Sequence, residues 1–184
     1  MTKILVHLAN GFEEMEALVP VDVWRRAGFE VVTVSITRSL EVTGAHQIKV
    51  LADQLFEDIN YRDADMIYLP GGMPGASNLD KHEGLREQLL SFSKEGKVLG
   101  AICAAPLVLG HNQLLKGKKA TCFPGFEKEL YGANVDGESV VSDGPIVTGK
   151  GAGVALEFAL EIVARFQTKT FADELAKKMQ VPSA

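Results

Sequence analysis

Short apolar runs alternate with amphipathic stretches along most of the chain. Runs of this kind are typical of strands buried on both faces, and they occupy 4–9, 29–36, 65–69 and 98–102. Apolar positions recur at helical spacing over 83–95, 154–166 and 170–179. Strands that alternate with helices predict an α/β fold, in which helices cover both faces of a mainly parallel central sheet.

The region after the first strand predicts a helix. Asn10 and Glu13 have the spacing of a capping box, so the helix should begin at about residues 12–14 and end at Gly28. Pro20 lies inside this helix and predicts a kink or a break.

Several weaker patterns complete the predicted elements. They are an antiparallel hairpin at 40–52, a short helix at 104–109, strands at 119–123, 135–142 and 145–148, and a short helix at 127–131. We find no internal repeat, linker or low-complexity tract. The sequence therefore predicts one domain over residues 1–184.

Composition narrows the functional classes. The 184 residues are 46% hydrophobic and 23% charged, with a formal net charge of -5 and no basic stripe, which argues against a nucleic-acid partner. No apolar run approaches the roughly 18 residues of a membrane span, and no signal-like segment precedes the first strand. Two cysteines make no disulfide framework. We expect a cytoplasmic protein without a membrane partner.

Cys103 is the first candidate for chemistry. It follows the apolar strand 98–102, and the small residues Ala101, Ala104 and Ala105 surround it. This layout resembles the strand-to-helix elbow that carries the nucleophile of many hydrolases. The alternative is a buried cysteine that only fills the core.

A glycine turn supplies a second candidate. Pro70 to Gly75 follows the strand 65–69, and its backbone is bare enough to face a ligand. The amides of Gly72 and Ala104 would then form an oxyanion hole. Simple loop punctuation is the alternative explanation of these glycines.

Glu16 is the third candidate. A cap explains Glu13 and the helix dipole explains Glu14, but neither explains Glu16. A protonated Glu16 next to Cys103 would donate a hydrogen bond to the thiolate and lower the pKa of the cysteine. Such a thiol is nucleophilic and easily oxidised.

We expect no metal site, because the four histidines lack metal-ligand spacing with another histidine, cysteine or acid. Cys122 lies in a predicted strand and is interpreted as a core residue. No phosphate-binding glycine motif is present.

The three candidate segments resemble those of the ThiJ/PfpI family, in the branch of the Parkinson-associated protein deglycase. The matching runs are Gly11 to Glu16 with Pro20 to Val23, Leu69 to Gly72, and Ala101 to Pro106. The glycines at 151 and 153 with the run 157–160 also fit, so the resemblance covers nearly the whole chain.

The resemblance implies a flavodoxin-like three-layer sandwich of the class I glutamine-amidotransferase type, and usually a homodimer. It implies Cys103 as the reactive cysteine and Glu16 as its protonated partner. Gly72 and Ala104 would be the backbone donors. The implied substrate-binding residues are Gly71, Phe123, Lys150 and Gly151. No cofactor is implied.

Members of the family are described as glyoxalases that convert methylglyoxal to lactate without glutathione, as deglycases of glycated adducts, as redox sensors and as chaperones. The resemblance thus implies an enzyme acting on α-oxoaldehydes, or alternatively a protective redox sensor without significant turnover.

Three points depart from the pattern. Residues 150–153 read Lys-Gly-Ala-Gly where relatives often have Arg-Gly-Pro-Gly. Ala104 stands where protease-like relatives have histidine, so we expect no peptidase activity, and Phe123 replaces a histidine of some relatives. For the dimer surface we select the first helix, through Met15, Val19 and Trp24.

Overall fold

The computed structural model describes residues 1–182. Its strands are β1 (Lys3–Leu8), β2 (Glu30–Ser35), β3 (Glu41–Thr43), β4 (Lys49–Leu51), β5 (Gln54–Leu55), β6 (Met66–Leu69), β7 (Val98–Ile102), β8 (Lys119–Ala120), β9 (Asn134–Val135), β10 (Val140–Asp143) and β11 (Ile146–Gly149). Its α-helices are α1 (Glu14–Arg26), α2 (Gly75–Asp80), α3 (Glu83–Glu95), α4 (Pro106–His111), α5 (Ala155–Phe166) and α6 (Lys169–Lys178).

A seven-stranded sheet forms the centre of the fold, in the order β10-β11-β7-β6-β1-β2-β5. All neighbouring strands run parallel except β10, which pairs antiparallel with β11. The carboxyl ends of β1, β6 and β7 therefore meet at one edge, where ligands bind in open parallel sheets. The predicted α/β fold is confirmed.

Helices cover both faces of the sheet and bury two apolar cores. On one face, α1 packs against α5, and α5 packs against α6. On the other face, α2 packs against α3 and α4. Trp24 belongs to the first core: it is fully buried, and its Nε1 donates to the Ala159 carbonyl over 3.0 Å. The prediction that Trp24 lies on the exposed surface of α1 is therefore wrong.

The start of α1 also differs from the prediction. Glu13, not Asn10, is the N-cap, and its side chain accepts from the amide of Glu16 over 2.7 Å. Asn10 Oδ1 instead accepts from the amide of Thr43 over 3.0 Å, which ties the loop to β3. The capping box is wrong because the hairpin competes for Asn10, a contact 33 residues away in the chain.

The helix α1 continues unbroken through Pro20. Proline has no amide hydrogen, so the carbonyl of Glu16, four residues earlier, loses its helical donor. The buried hydroxyl of Tyr68 donates to that carbonyl over 2.7 Å and takes the place of the missing amide. A tertiary contact thus satisfies the group that the proline leaves free.

Two further predictions need correction, and two elements were missed. Only Lys119–Ala120 of the strand predicted at 119–123 is extended, and it pairs with Asn134–Val135 in a separate two-stranded sheet. The strand predicted at 135–142 is divided: Val135 ends β9, and β10 begins only at Val140. The short α2 and β5 have too few residues to show a period, and sequence analysis missed both. Within residues 1–182, no helix combines the length and apolar character needed to cross a bilayer.

Candidate active site

Cys103 lies on a sharp turn between β7 and α4. Its φ is +63°, in the left-handed region that non-glycine residues rarely adopt. Its amide donates to the Gly149 carbonyl over 2.9 Å, which holds the turn against β11. Ala101, Ala104 and Ala105 are buried around it, so larger side chains would not fit. Cys103 itself is only partly buried.

The glycine turn after β6 lies directly against this elbow. A Cβ added to Gly71 would be 2.6 Å from Oε2 of Glu16 and 2.7 Å from the Cβ of Cys103. Gly72 has a φ of +84°, and a Cβ there would overlap the amide of Glu13. Both positions therefore require glycine, which brings bare backbone next to the sulfur.

Glu16 faces the same point from α1. Its side chain is fully buried, and Oε2 accepts from the amide of Gly71 over 2.8 Å. Oε1 is also buried and makes no hydrogen bond of ordinary geometry to any group within residues 1–182. One oxygen of the carboxyl is thus left free to exchange a proton.

Burial raises the pKa of Glu16 to about 7, because ionisation would place a charge in a poorly solvated site. The thiol of Cys103 acts against this rise, the neighbouring carboxylate of Glu13 adds to it, and the Gly71 amide opposes it. Glu16 therefore changes its charge near neutral pH. That is the range in which a general acid or base is most effective.

Cys103 responds to the charge on Glu16. Burial, followed by the carboxylate of Glu16, raises the pKa of the thiol to about 12. The backbone amides of Gly72 and Ala104 favour the thiolate and lower the pKa. The ionised cysteine expected from the sequence is thus disfavoured while Glu16 is charged. Glu16 and Cys103 can share a single proton. The sulfur is a thiolate when the proton is on Glu16, and a thiol when the proton is on Cys103.

The four implied substrate-binding residues separate into two groups. Gly71 adjoins Cys103, and the amide of Phe123 donates to the Cys103 carbonyl over 2.8 Å. The Phe123 ring is about half exposed at 48%, and it lies 3.4 Å from a Cβ placed on Gly151. Lys150 points elsewhere, because its ammonium donates to the Gly137 carbonyl over 3.0 Å.

Lys150 lines a neighbouring cavity of about 270 Å³ together with Cys122. Cys122 is buried as predicted, but it lies outside any strand. Burial and the charge of Glu127 raise the pKa of Cys122 to about 11, so this thiol stays protonated near neutral pH.

Sequence analysis missed the role of Glu14. This carboxylate is buried and accepts from both the amide and Nδ1 of His46, over 2.7 Å each. Glu13, Glu14 and His46 offer three possible metal-ligand atoms within 4.8 Å of one another. Those atoms already serve the cap of α1 and the bond to His46. Nothing in the local sequence indicates this pair, because its members are 32 residues apart.

The fold and the site together define a class: an open α/β protein whose candidate nucleophile is a cysteine on an elbow beside a buried glutamate. The family model described as "DJ-1/PfpI family" matches residues 2–165. The chain belongs to the DJ-1/PfpI family.

Similar proteins support this family assignment. The chain is 40% identical over 176 residues to "Protein DJ-1 homolog B" of Arabidopsis thaliana, covering 95% of this chain and 40% of that protein. It thus spans less than half of that relative, and the same holds for the Arabidopsis homolog A, at 45%. Against "Protein dj-1beta" of Drosophila melanogaster the identity is 34%, with 96% of each chain covered.

Solved structures extend the likeness to the fold. The structure described as "Toxoplasma gondii DJ-1, oxidized" superposes with a TM-score of 0.95 at 34% identity, over 100% of each chain. Drosophila melanogaster DJ-1beta gives 0.92 at 33% identity, over 99% of each chain.

Proposed function

We propose that this protein is a cysteine-dependent glyoxalase that converts α-oxoaldehydes such as methylglyoxal to 2-hydroxy acids without glutathione, or releases them from glycated adducts. The observation that carries the proposal is the pairing of a partly buried Cys103 at φ +63° with a fully buried Glu16. A nucleophile next to a group that titrates near neutral pH suits covalent catalysis with proton transfer.

The first step is addition of the sulfur to the aldehyde carbon. Glu16 takes the thiol proton, and the thiolate forms a carbon–sulfur bond while the carbonyl electrons move to oxygen. The amides of Gly72 and Ala104, which also favour the thiolate, stabilise the resulting oxyanion. Glu16 then gives its proton to that oxygen, which forms a hemithioacetal on Cys103 and leaves Glu16 as a carboxylate.

The second step moves hydrogen within the adduct. The carboxylate of Glu16 removes the proton from the former aldehyde carbon, and the electrons pass through an enediol to the adjacent ketone carbon. Glu16 returns the proton to that carbon, and the hydroxyl proton moves to the former ketone oxygen, which leaves a 2-hydroxy thioester. Water then hydrolyses the thioester to lactate and restores the thiol. Overall, methylglyoxal and water give lactate, and the reaction needs no redox cofactor.

A second candidate is redox sensing, and one observation favours it: a similar solved structure is described as oxidized. A peroxide would transfer one oxygen atom to the Cys103 thiolate and leave as water or an alcohol, which gives a sulfenate. A second peroxide would give the sulfinate. The buried Glu16 and the amides of Gly72 and Ala104 suit such an oxygen-bearing sulfur.

A homodimer is part of the proposal. Met15 and Leu18 on α1 are 53% and 39% exposed, and Ile48 and Leu51 next to and within β4 are 52% and 76% exposed. Apolar side chains exposed in this number support self-association. The expected surface is therefore the outer side of α1, now without Trp24.

Turnover of methylglyoxal to lactate is the test. Wild type should produce lactate without glutathione. Cys103→Ser should lose turnover, and Glu16→Gln should lower kcat by about a hundredfold or more, since general acid–base catalysis contributes at least that factor. The matched control is Cys122→Ser, which changes the other buried thiol and should retain turnover.

A wild-type rate at the uncatalysed background would refute the glyoxalase. Intact mass after mild peroxide then examines the second candidate, which expects two added oxygen atoms located on Cys103. Glu16→Gln keeps a hydrogen-bond donor and loses the transferable proton, so it should reduce turnover more than oxidation.

A further inference from the structure

His111, at the end of α4, is held between two carboxylates. Its Nδ1 is 2.9 Å from Oδ2 of Asp80 on α2, and its Nε2 is 2.9 Å from Oε2 of Glu129 in the 3₁₀ turn Glu127–Glu129. A neutral imidazole has only one N–H, so its other nitrogen would face a carboxylate with a lone pair. Both contacts are favourable only when the ring is an imidazolium.

Two hydrogen-bonded paths connect these carboxylates to the candidate site. The Gly72 carbonyl accepts from Ala76 in α2, one turn before Asp80, over 2.9 Å. On the other side, Phe123 donates to Cys103, Phe126 to Phe123 and Glu129 to Phe126, over 2.8, 3.1 and 3.0 Å. The helix α4, which begins just after Cys103, is the third connection.

His111 therefore closes two rings that both pass through the elbow. Close packing supports this: a Cβ added to Gly110 would overlap the Glu129 carbonyl, so α4 touches the turn backbone to backbone. Tyr131 also faces His111: its ring centroid is 4.9 Å away, and its hydroxyl is 3.4 Å from Oε2 of Glu129. The α4 segment carries no other charged side chain.

We propose that His111 is a positioning residue: its imidazolium ties α2 and the 127–129 turn to α4, and thereby holds the Gly72 amide and Phe123 against Cys103. Loss of the ring proton releases this connection and slows the reactions of the thiol. The proposal rests on the proposed function only in taking Cys103 as the reacting group.

The direction of the pH effect follows from the two carboxylates. Burial lowers the pKa of His111, but the bonds to Glu129 and Asp80 raise it by more. The pKa therefore lies above its usual 6.5. A raised histidine pKa means that the stabilising connection is complete below the unfolded-state value near 6.5. It is lost as the pH rises through the higher folded-state value.

Alkylation of Cys103 by iodoacetamide, quantified by peptide mass over about pH 5.5 to about pH 9, tests the proposal. The readout is the ratio of the wild-type rate to the His111→Gln rate at each pH, so that the titration of Glu16 and Cys103 cancels. We expect wild type to be faster by at least about twofold below pH 6.5, with the ratio approaching one at high pH.

Glu129→Gln is the second variant, because its side chain is 43% exposed and the change removes one carboxylate without touching α4. It should give the same pH-dependent ratio, and it carries the test if His111→Gln does not fold. Lys169→Gln cuts an exposed ion pair to Asp173 on α6 and should leave the ratio at one throughout.

A ratio of one at every pH would overturn the proposal, and so would an offset that does not change with pH. The melting temperatures of the same proteins separate the causes. If the stability difference disappears with rising pH while alkylation is unchanged, the ion pairs form but do not reach Cys103, and the proposal fails. Alkylation needs no turnover of an oxoaldehyde, so failure of the glyoxalase would be seen separately.

Discussion

The amide of Gly71 donates to Oε2 of Glu16 over 2.8 Å, and the Cβ position of Gly71 lies 2.7 Å from the Cβ of Cys103. One residue thus lies between the acid and the thiol and contacts both. Its lack of a side chain sets how closely α1 and the elbow approach. The distance between the two reacting groups therefore depends on this glycine.

Gly71→Ala should push Glu16 and Cys103 apart, because the added methyl group would lie within 2.7 Å of both side chains. We expect the free energy of unfolding to fall by about 1–3 kcal/mol, as in other overpacked sites. Cys103 alkylation should change as well. Denaturant unfolding and the rate of alkylation measure the two effects.

Gly137→Ala is the matched control, since a Cβ there meets nothing within 4 Å. It should change neither quantity. A Gly71→Ala protein with wild-type stability and alkylation would contradict the close approach.

The elements that the sequence predicted well are those with a local cause. Val98–Ile102 is apolar throughout and bounded by a change to small residues, and β7 has those bounds. Gly96, directly after the predicted helix 83–95, ends α3 in the left-handed conformation that glycine adopts readily. Failures arise where a distant partner decides, as when Thr43 takes the side chain of Asn10.

The same distinction applies to the candidate site. Cys103 and Gly72 could be selected because turns need small residues, which is a local signal. The connection of His111 to Asp80 and Glu129 spans 31 and 18 residues and leaves no periodic pattern. A protonated Glu16 was expected from the sequence, but the size of its pKa shift depends on how deeply α1 buries the carboxyl, which no local pattern shows.

Glu16→Gln should change how stability depends on pH. The pKa of Glu16 is about 7 in the folded protein and 4.5 in the reference state, so the folded protein binds more protons between these values. The contribution of Glu16 to stability therefore falls as the pH rises from 4.5 to 7, by about 3 kcal/mol in total. The glutamine variant lacks this loss.

Urea unfolding at several pH values measures the difference between the two proteins. Relative to wild type, Glu16→Gln should gain stability as the pH rises through this window. Glu87→Gln, at an exposed position of α3, is the control and should run parallel to wild type. If the stability curves of Glu16→Gln and wild type ran parallel, the Glu16 carboxyl of wild type would have an ordinary pKa.

Tyr68→Phe removes the hydroxyl that bonds the Glu16 carbonyl. The buried carbonyl would then lack a donor, because Pro20 supplies no amide hydrogen. We expect a loss of about 1–3 kcal/mol in the free energy of unfolding. Slower Cys103 alkylation should accompany it, since Glu16 is held by this part of α1.

A double-mutant cycle with Pro20→Ala examines the cause. Alanine restores an amide that can donate to the Glu16 carbonyl, so the loss of the Tyr68 hydroxyl should be smaller in that background. Equal losses in both backgrounds would show that the hydroxyl does not substitute for the proline's missing amide.

Two substitutions on α1 should have separate effects, one on folding and the other on self-association. Trp24→Phe removes the buried bond to the Ala159 carbonyl and leaves space in the core, so we expect a loss of about 1–3 kcal/mol in the free energy of unfolding. Association of the folded chains should be unchanged. Leu18→Glu alters a side chain that is 39% exposed, so folding should change by only about 0.5 kcal/mol.

The charge of Leu18→Glu would lie within the proposed dimer surface and should weaken association, because an unpaired carboxylate in an apolar contact must be desolvated. Sedimentation velocity over a range of concentrations compares the three proteins. A Leu18→Glu protein that associates like wild type would remove the outer side of α1 from the interface. Weaker association of folded Trp24→Phe would instead mean that the core of α1 controls the surface, since Trp24 itself is fully buried.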